Sequence, residues 1–237
     1  TLLAGITAAM AILIRPNLVP LAPVLGMWIL WRQRENDHRD RVRLVMLFSA
    51  PVVLACLTIA WINATLFGSP LASGYGATGQ LFSSANVLTN VRRYGGWLAE
   101  TQTPIVFAGL IALFVRSSLL LAAVAIVVIA IYLFYIPFDA WWSLRFLLPA
   151  WPEVCIGTSA VIAAAAHAAG RRRREVQAVA LVGLGLYTTV VANRLGAFPE
   201  GEGERRYATI AELVRQATDP SSLILASIHA GPLRYYA

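Results

Sequence analysis

Apolar residues in this chain run in long blocks separated by short polar connections, and they do not recur at the spacing of a half-buried strand or helix. Helices that are apolar on every side are what a bilayer selects, because lipid surrounds them and all backbone bonds must close internally. A span needs about 20 mostly apolar residues, and somewhat fewer where protein surrounds it. Seven segments roughly fit: Thr1–Ile14, Leu18–Trp31, Leu44–Phe67, Pro104–Val115, Ser118–Phe138, Leu147–Ala169 and Val176–Ala192. The pattern predicts an all-α polytopic membrane protein with about seven transmembrane helices. The fourth segment is the shortest match to a span.

Beyond Asn193 the pattern changes. A Gly- and Glu-rich linker, Gly196-Ala197-Phe198-Pro199-Glu200-Gly201-Glu202-Gly203, leads into Glu204–Thr218, which sets Tyr207, Ile210, Leu213 and Val214 on one helical face. Asp219-Pro220 ends that helix, and Ser222–Ser227 reads as a buried strand. Residues 1–195 are therefore expected to form the transmembrane domain, and residues 196–237 the start of a small α/β extramembrane domain. The chain opens at Thr1 inside an apolar run and stops at Tyr235-Tyr236-Ala237, so both ends read as cut.

Composition agrees with a lipid solvent. Hydrophobic residues make up 58% of the chain and charged residues 13%, with a mean hydropathy of +0.66, which leaves too little polar surface for a soluble globule. All 19 basic residues are arginine. A GC-rich genome accounts for that as readily as chemistry does, although arginine suits bidentate contacts to phosphate. Cys56 and Cys155 fall in apolar spans and read as small buried residues. His38, His167 and His229 are too far apart for a metal site, so no metal ligand is expected in this chain.

The charges set an orientation. Arg32, Arg34, Arg39, Arg41 and Arg43, then Arg116, then the run Arg171–Arg174 occupy alternate short connections, which carry nearly all of the net charge of +7. Basic loops stay in the cytoplasm. The chain is thus expected in the inner (plasma) membrane, with Arg15-Pro16-Asn17, the long loop 68–103, the turn 138–145 and the C-terminal tail on the outer side. The pI near 10 has the same topogenic origin, so no nucleic acid partner is expected.

The unusual residues gather on that outer side. Pro16 should turn the chain after Arg15, leaving the arginine either at a cavity mouth or reaching to water. Gly74-Tyr75-Gly76-Ala77-Thr78-Gly79 has the spacing of a dinucleotide fingerprint, but a membrane span precedes it where a strand belongs. It reads better as a flexible loop over a substrate cavity, with Tyr75 free to touch a sugar or lipid. Asn86–Leu98 reads as an amphipathic interfacial helix, apolar at Val87, Val91, Tyr94 and Leu98, with Arg92 and Arg93 facing phosphate. Asp139 and Arg145 flank a Trp-Trp turn and stand six residues apart. Either they pair, or Arg145 is free to donate two hydrogen bonds to a phosphate. Asn63-Ala64-Thr65 fits a glycosylation acceptor but lies within a span.

Arg15-Pro16-Asn17, Leu66-Phe67-Gly68-Ser69-Pro70 and Arg145-Phe146-Leu147-Leu148-Pro149-Ala150-Trp151-Pro152, in that order along nearly the whole chain, resemble bacterial multispanning glycosyltransferases of the GT-C class, the group of protein O-mannosyltransferases and aminoarabinose transferases. The Arg-Phe-Leu-Leu-Pro stretch is the most specific of these. The resemblance implies transfer of a sugar from a polyprenyl-phosphate donor to an acceptor glycan, lipid or protein on the outer face, usually with inversion. It places the catalytic acid in a first outer loop upstream of Thr1, so no catalytic residue is assigned. It implies a donor-lipid site with Arg145 on the phosphate and Arg15, Arg92, Arg93, Tyr75 and Asp139 around it. Some members of the class hold a divalent metal at that upstream loop, so the resemblance leaves the metal requirement of a longer chain open. A transporter or flippase for a lipid-linked or small anionic solute would also use outward arginines, and a structural subunit would need none of them.

Overall fold

The computed structural model describes residues 1–35, 37–197 and 202–219. Among these the chain is almost entirely helical, with ten α-helices and one two-stranded hairpin. It divides into two compact units, Thr1–Leu184 and Gly185–Ala237.

The first unit begins with α1 (Leu2–Ile14), α2 (Leu21–Arg32) and α3 (His38–Phe67). Pro16 opens a short 3-10 turn over Pro16–Leu18, so the expected segment Leu18–Trp31 starts its α-helix only at Leu21. The α1–α3 crossing is close because Gly5 faces the backbone of Phe48 and the ring of Pro51, and a Cβ at that position would overlap both. Small residues at such crossings let helices approach in lipid, where packing replaces the hydrophobic drive. α3 ends at Gly68 in a left-handed conformation, φ +75°, which glycine adopts without strain.

The long connection is ordered. A hairpin pairs β1 (Ala72–Ser73) with β2 (Gly76–Ala77), followed by the single turn α4 (Thr78–Leu81) and then α5 (Val87–Gln102). The amphipathic helix expected at Asn86–Leu98 is present and runs four residues further. α5 closes at Thr103, a non-glycine residue at φ +63° that precedes Pro104. Then come α6 (Ile105–Ala112), α7 (Leu119–Phe134), a 3-10 helix over Trp141–Ala150, and α8 (Trp151–Ala168). Pro149 lies at the end of the 3-10 segment, so the span expected from Leu147 becomes α-helical only at Trp151. α6 and α8 meet backbone to backbone at Gly109 and Gly157, where a Cβ on either residue would overlap the partner chain segment.

Among the described residues three helices are long and apolar enough to cross a membrane: His38–Phe67, Trp141–Ala168 and Gly170–Arg194. Their apolar side chains are largely exposed, as a lipid-facing surface requires. The other expected spans are shorter, with α1 at 13 residues, α2 at 12, α6 at 8 and α7 at 16. Cys155 is exposed on α8 and Cys56 is half-buried, so neither has the fully buried place expected of it. Both lie on long helices whose outer faces are apolar and need no covering.

α9 (Arg173–Arg194) runs on from the arginine cluster, and α10 (Glu202–Ala217) occupies the helix expected after the linker. On α10 the covered face centres on Ala211 and takes in the half-buried Tyr207 and Val214 of the expected apolar face, while Ile210 and Leu213 are exposed. The strand expected at Ser222–Ser227, and His229, lie outside the described residues.

Candidate functional site

The C-terminal end of α7 organises the site. A helix leaves its last four carbonyls without intrahelical donors, and burying them unmet costs about 1–3 kcal/mol each. Here groups from the loop 68–103 meet three of the last four, those of Tyr132, Leu133 and Phe134. Asn90 of α5, almost fully buried, sets its amide nitrogen 3.2, 3.0 and 2.6 Å from the carbonyls of Tyr132, Leu133 and Tyr135. The Phe134 carbonyl accepts from the Ser83 backbone N–H at 2.8 Å and from the Asn86 amide at 3.2 Å. The loop 68–103 is therefore stitched to the end of α7 at Ser83, Asn86 and Asn90.

Aromatic packing continues from this clamp. Tyr132 and Phe138 both stack on Phe146 of the 3-10 segment, with ring centroids 5.4 and 4.9 Å apart, and Phe82 meets Tyr135 edge-on at 5.1 Å. Tyr94, buried beside them, has its phenol pushed up to about 12, first by burial and then by the neighbouring Tyr132 and Tyr135. It is a neutral packing group at any ordinary pH.

Against the aromatic wall lies a cavity of about 560 Å³. Arg15 and Asn17 enter it from the turn after α1, Tyr75 from the hairpin tip, and Arg145 from the 3-10 segment. Tyr132, Tyr135 and Phe146 are among its apolar lining. The volume suits a small polar headgroup and part of its tail. Arg15 is half-buried and Arg145 exposed, and among the described residues neither forms an ion pair. The Arg145 guanidinium carbon sits 5.4 Å from the centre of the Phe146 ring, a cation–π approach that leaves its N–H groups free to donate. Two guanidinium groups without carboxylate partners at one cavity favour an anion carrying several acceptor oxygens.

A second cavity, of about 730 Å³, shares Pro16, Asn17, Ser73 and Leu81 with the first. It has no ionisable side chain and is bounded by Asn63, Thr78, Phe82 and Phe134 among others. The Asn63 amide donates to the Pro70 carbonyl at 3.2 Å, so this asparagine ties the end of α3 to the hairpin.

Of the six residues expected at a donor site, the structure gathers Arg15, Tyr75 and Arg145 in one cavity. The other three are placed differently. Asp139 does not pair with Arg145; its carboxylate lies 2.6 Å from Arg93, which also donates to the Phe138 carbonyl. The reason is reach: Arg145 is held on a 3-10 helix beside Phe146, while Arg93 projects from α5 toward the turn that carries Asp139. Arg93 is thereby committed to the protein, and Arg92 is exposed and lines none of the cavities described. The Gly74–Gly79 stretch forms the hairpin tip and a single helical turn, which leaves it no strand–helix frame for a dinucleotide.

Three contributors went unseen in the sequence. Asn90 stands three residues after Val87 and four before Tyr94, on the apolar stripe of α5, and a lone amide on such a stripe is the signal of a buried cap. Tyr132 and Tyr135, three residues apart at the end of α7, combine apolar rings with polar tips and line the cavity. No family model matches the chain, and neither a curated protein nor a solved structure does.

Proposed function

We propose that this chain is the donor-lipid part of a GT-C-like membrane glycosyltransferase, with the phosphate of a polyprenyl-phosphate-linked sugar held between Arg15 and Arg145. The observation that carries the reading is the convergence of Arg15, Tyr75 and Arg145, from three distant stretches of sequence, on one cavity, with both arginines free of ion pairs among the described residues. In this reading α1, α2, α6 and α7 also lie within the bilayer beside the three long helices. Loop 68–103 and the turn 138–145 face outward, as the basic loops require.

In the reaction, an acceptor heteroatom forms a bond to the anomeric carbon while the bond from that carbon to the phosphate oxygen breaks. The electron pair leaves with the lipid phosphate. Fixed guanidinium groups beside that oxygen stabilise the charge as it develops and lower the barrier. The base that takes the acceptor proton is assigned to no residue of this chain. Arg145 and Arg15 bind and orient the phosphate, and Tyr75 at the exposed hairpin tip offers a ring and hydroxyl to the sugar.

The test uses the full-length protein in membranes supplied with a radiolabelled polyprenyl-phosphate sugar. Arg145→Ala should lower transfer by about 10²–10³-fold while the protein still accumulates in the membrane, and Arg145→Lys should recover part of it. Transfer that persists in an Arg15→Ala/Arg145→Ala double variant would remove the phosphate site. Donor binding without transfer to any acceptor would favour the transporter.

A further inference from the structure

At the opposite end of α7, about 24 Å away along its 16 residues, lies another pair of cavities. The larger, about 750 Å³, is lined by Arg32, Arg34, Glu35 and Ser117 together with Trp28 and Trp31. Beneath it an apolar cleft of about 290 Å³ runs between α2 and α7, lined by Val24, Met27, Leu119, Leu120 and Ala123. Trp28 and Trp31 belong to both, with ring centroids 4.7 Å apart, and they form the boundary between the charged mouth and the apolar cleft. Tryptophan takes that position where headgroups meet acyl chains.

We infer that this is a binding site for an anionic phospholipid, with its phosphate diester at Arg32 and Arg34 and one acyl chain in the α2–α7 cleft. Three observations choose the occupant. Arg32 and Arg34 have no ion-pair partner among the described residues, and with the single acid Glu35 they leave the mouth net positive. A free phosphate would leave the cleft uncovered, including Met27 and Leu119, which are exposed, whereas a lipid satisfies mouth and cleft together. Glu35 then has a partner in a hydroxylated headgroup such as glycerol, whose O–H groups donate to its carboxylate. The site depends only on the chain lying in a bilayer and is independent of the transferase reading.

The tryptophans supply the probe. The protein is placed in phosphatidylcholine vesicles containing, at equal mole fraction, either phosphatidylglycerol or phosphatidylcholine brominated on the acyl chain, and quenching is compared with that of a Trp28→Phe/Trp31→Phe variant. The expected result is quenching of these two tryptophans by brominated phosphatidylglycerol with a preference of roughly 30-fold, equivalent to about 1 kcal/mol for each arginine. Arg32→Gln/Arg34→Gln should erase the preference, and Arg32→Lys/Arg34→Lys should keep most of it. Equal quenching by both brominated lipids would overturn the site. So would an equal loss in Arg39→Gln/Arg43→Gln, which would mean diffuse surface attraction, or displacement by inorganic phosphate, which would mean that the anion binds without its tail.

Discussion

The two ends of α7 present arginines beside aromatic rings, yet they are built differently. At the Phe134 end the helix terminus is clamped by Asn90, Asn86 and Ser83, and the arginines Arg15 and Arg145 come from segments far apart in sequence. At the Leu119 end Arg32, Arg34 and both tryptophans come from one stretch at the end of α2. A site assembled from distant segments depends on the fold for its geometry, as chemistry requires. A site carried by one helix end depends on local charge and suits retention of a lipid. The first end is expected to be sensitive to single changes, and the second tolerant of them.

The largest separation of the two ends should appear in transfer rate. Arg145→Ala should lower it by about 10²–10³-fold, the usual cost of removing one donor from a developing anion, whereas Arg32→Gln/Arg34→Gln should leave it unchanged in the same membranes. Next comes the clamp. Asn90→Ala leaves α7 carbonyls unmet and should destabilise the protein by about 1–3 kcal/mol, read as earlier thermal unfolding in detergent, with donor affinity falling in parallel. The ion pair between Arg93 and Asp139 is largely exposed on the Asp139 side, so Asp139→Asn should change stability by less than about 1 kcal/mol and transfer hardly at all. The smallest effect concerns pH. Tyr94 titrates near 12 when folded and near 10 when unfolded, so the stability tied to its neutral form is complete below pH 10 and lost as the pH rises toward 12. Tyr94→Phe should flatten that part of the stability curve, measured by unfolding at successive pH values.

Helices were the readable part of this sequence. Apolar blocks located α1 to α3 and α6 to α9, although α3 starts at His38 and not at the expected Leu44, because lipid imposes one rule on every exposed side chain; α5 was read from its amphipathic pattern and α4 went unseen. Two starts were misjudged where proline intervened, at Pro16 and Pro149, since hydropathy does not register a missing N–H. The hairpin at Ala72–Ala77 has too few residues to show an alternating pattern and left no trace in the sequence. For the site, the prominence of Arg145 and Tyr75 was legible from their neighbours. The pairing of Asp139 was not, because proximity in sequence favoured Arg145 and the true partner stands on α5, 46 positions earlier.

Tyr75, 85% exposed, rides on a ladder of only two residue pairs, with Gly76 at φ +117°. So small a ladder opens locally at little free energy, far below the cost of disturbing α7 and its clamp. Amide protons should therefore exchange quickly at residues 72–77 and slowly at the base of α7. Of the walls of the cavity that holds Arg15 and Arg145, the one that carries Tyr75 is thus expected to yield first.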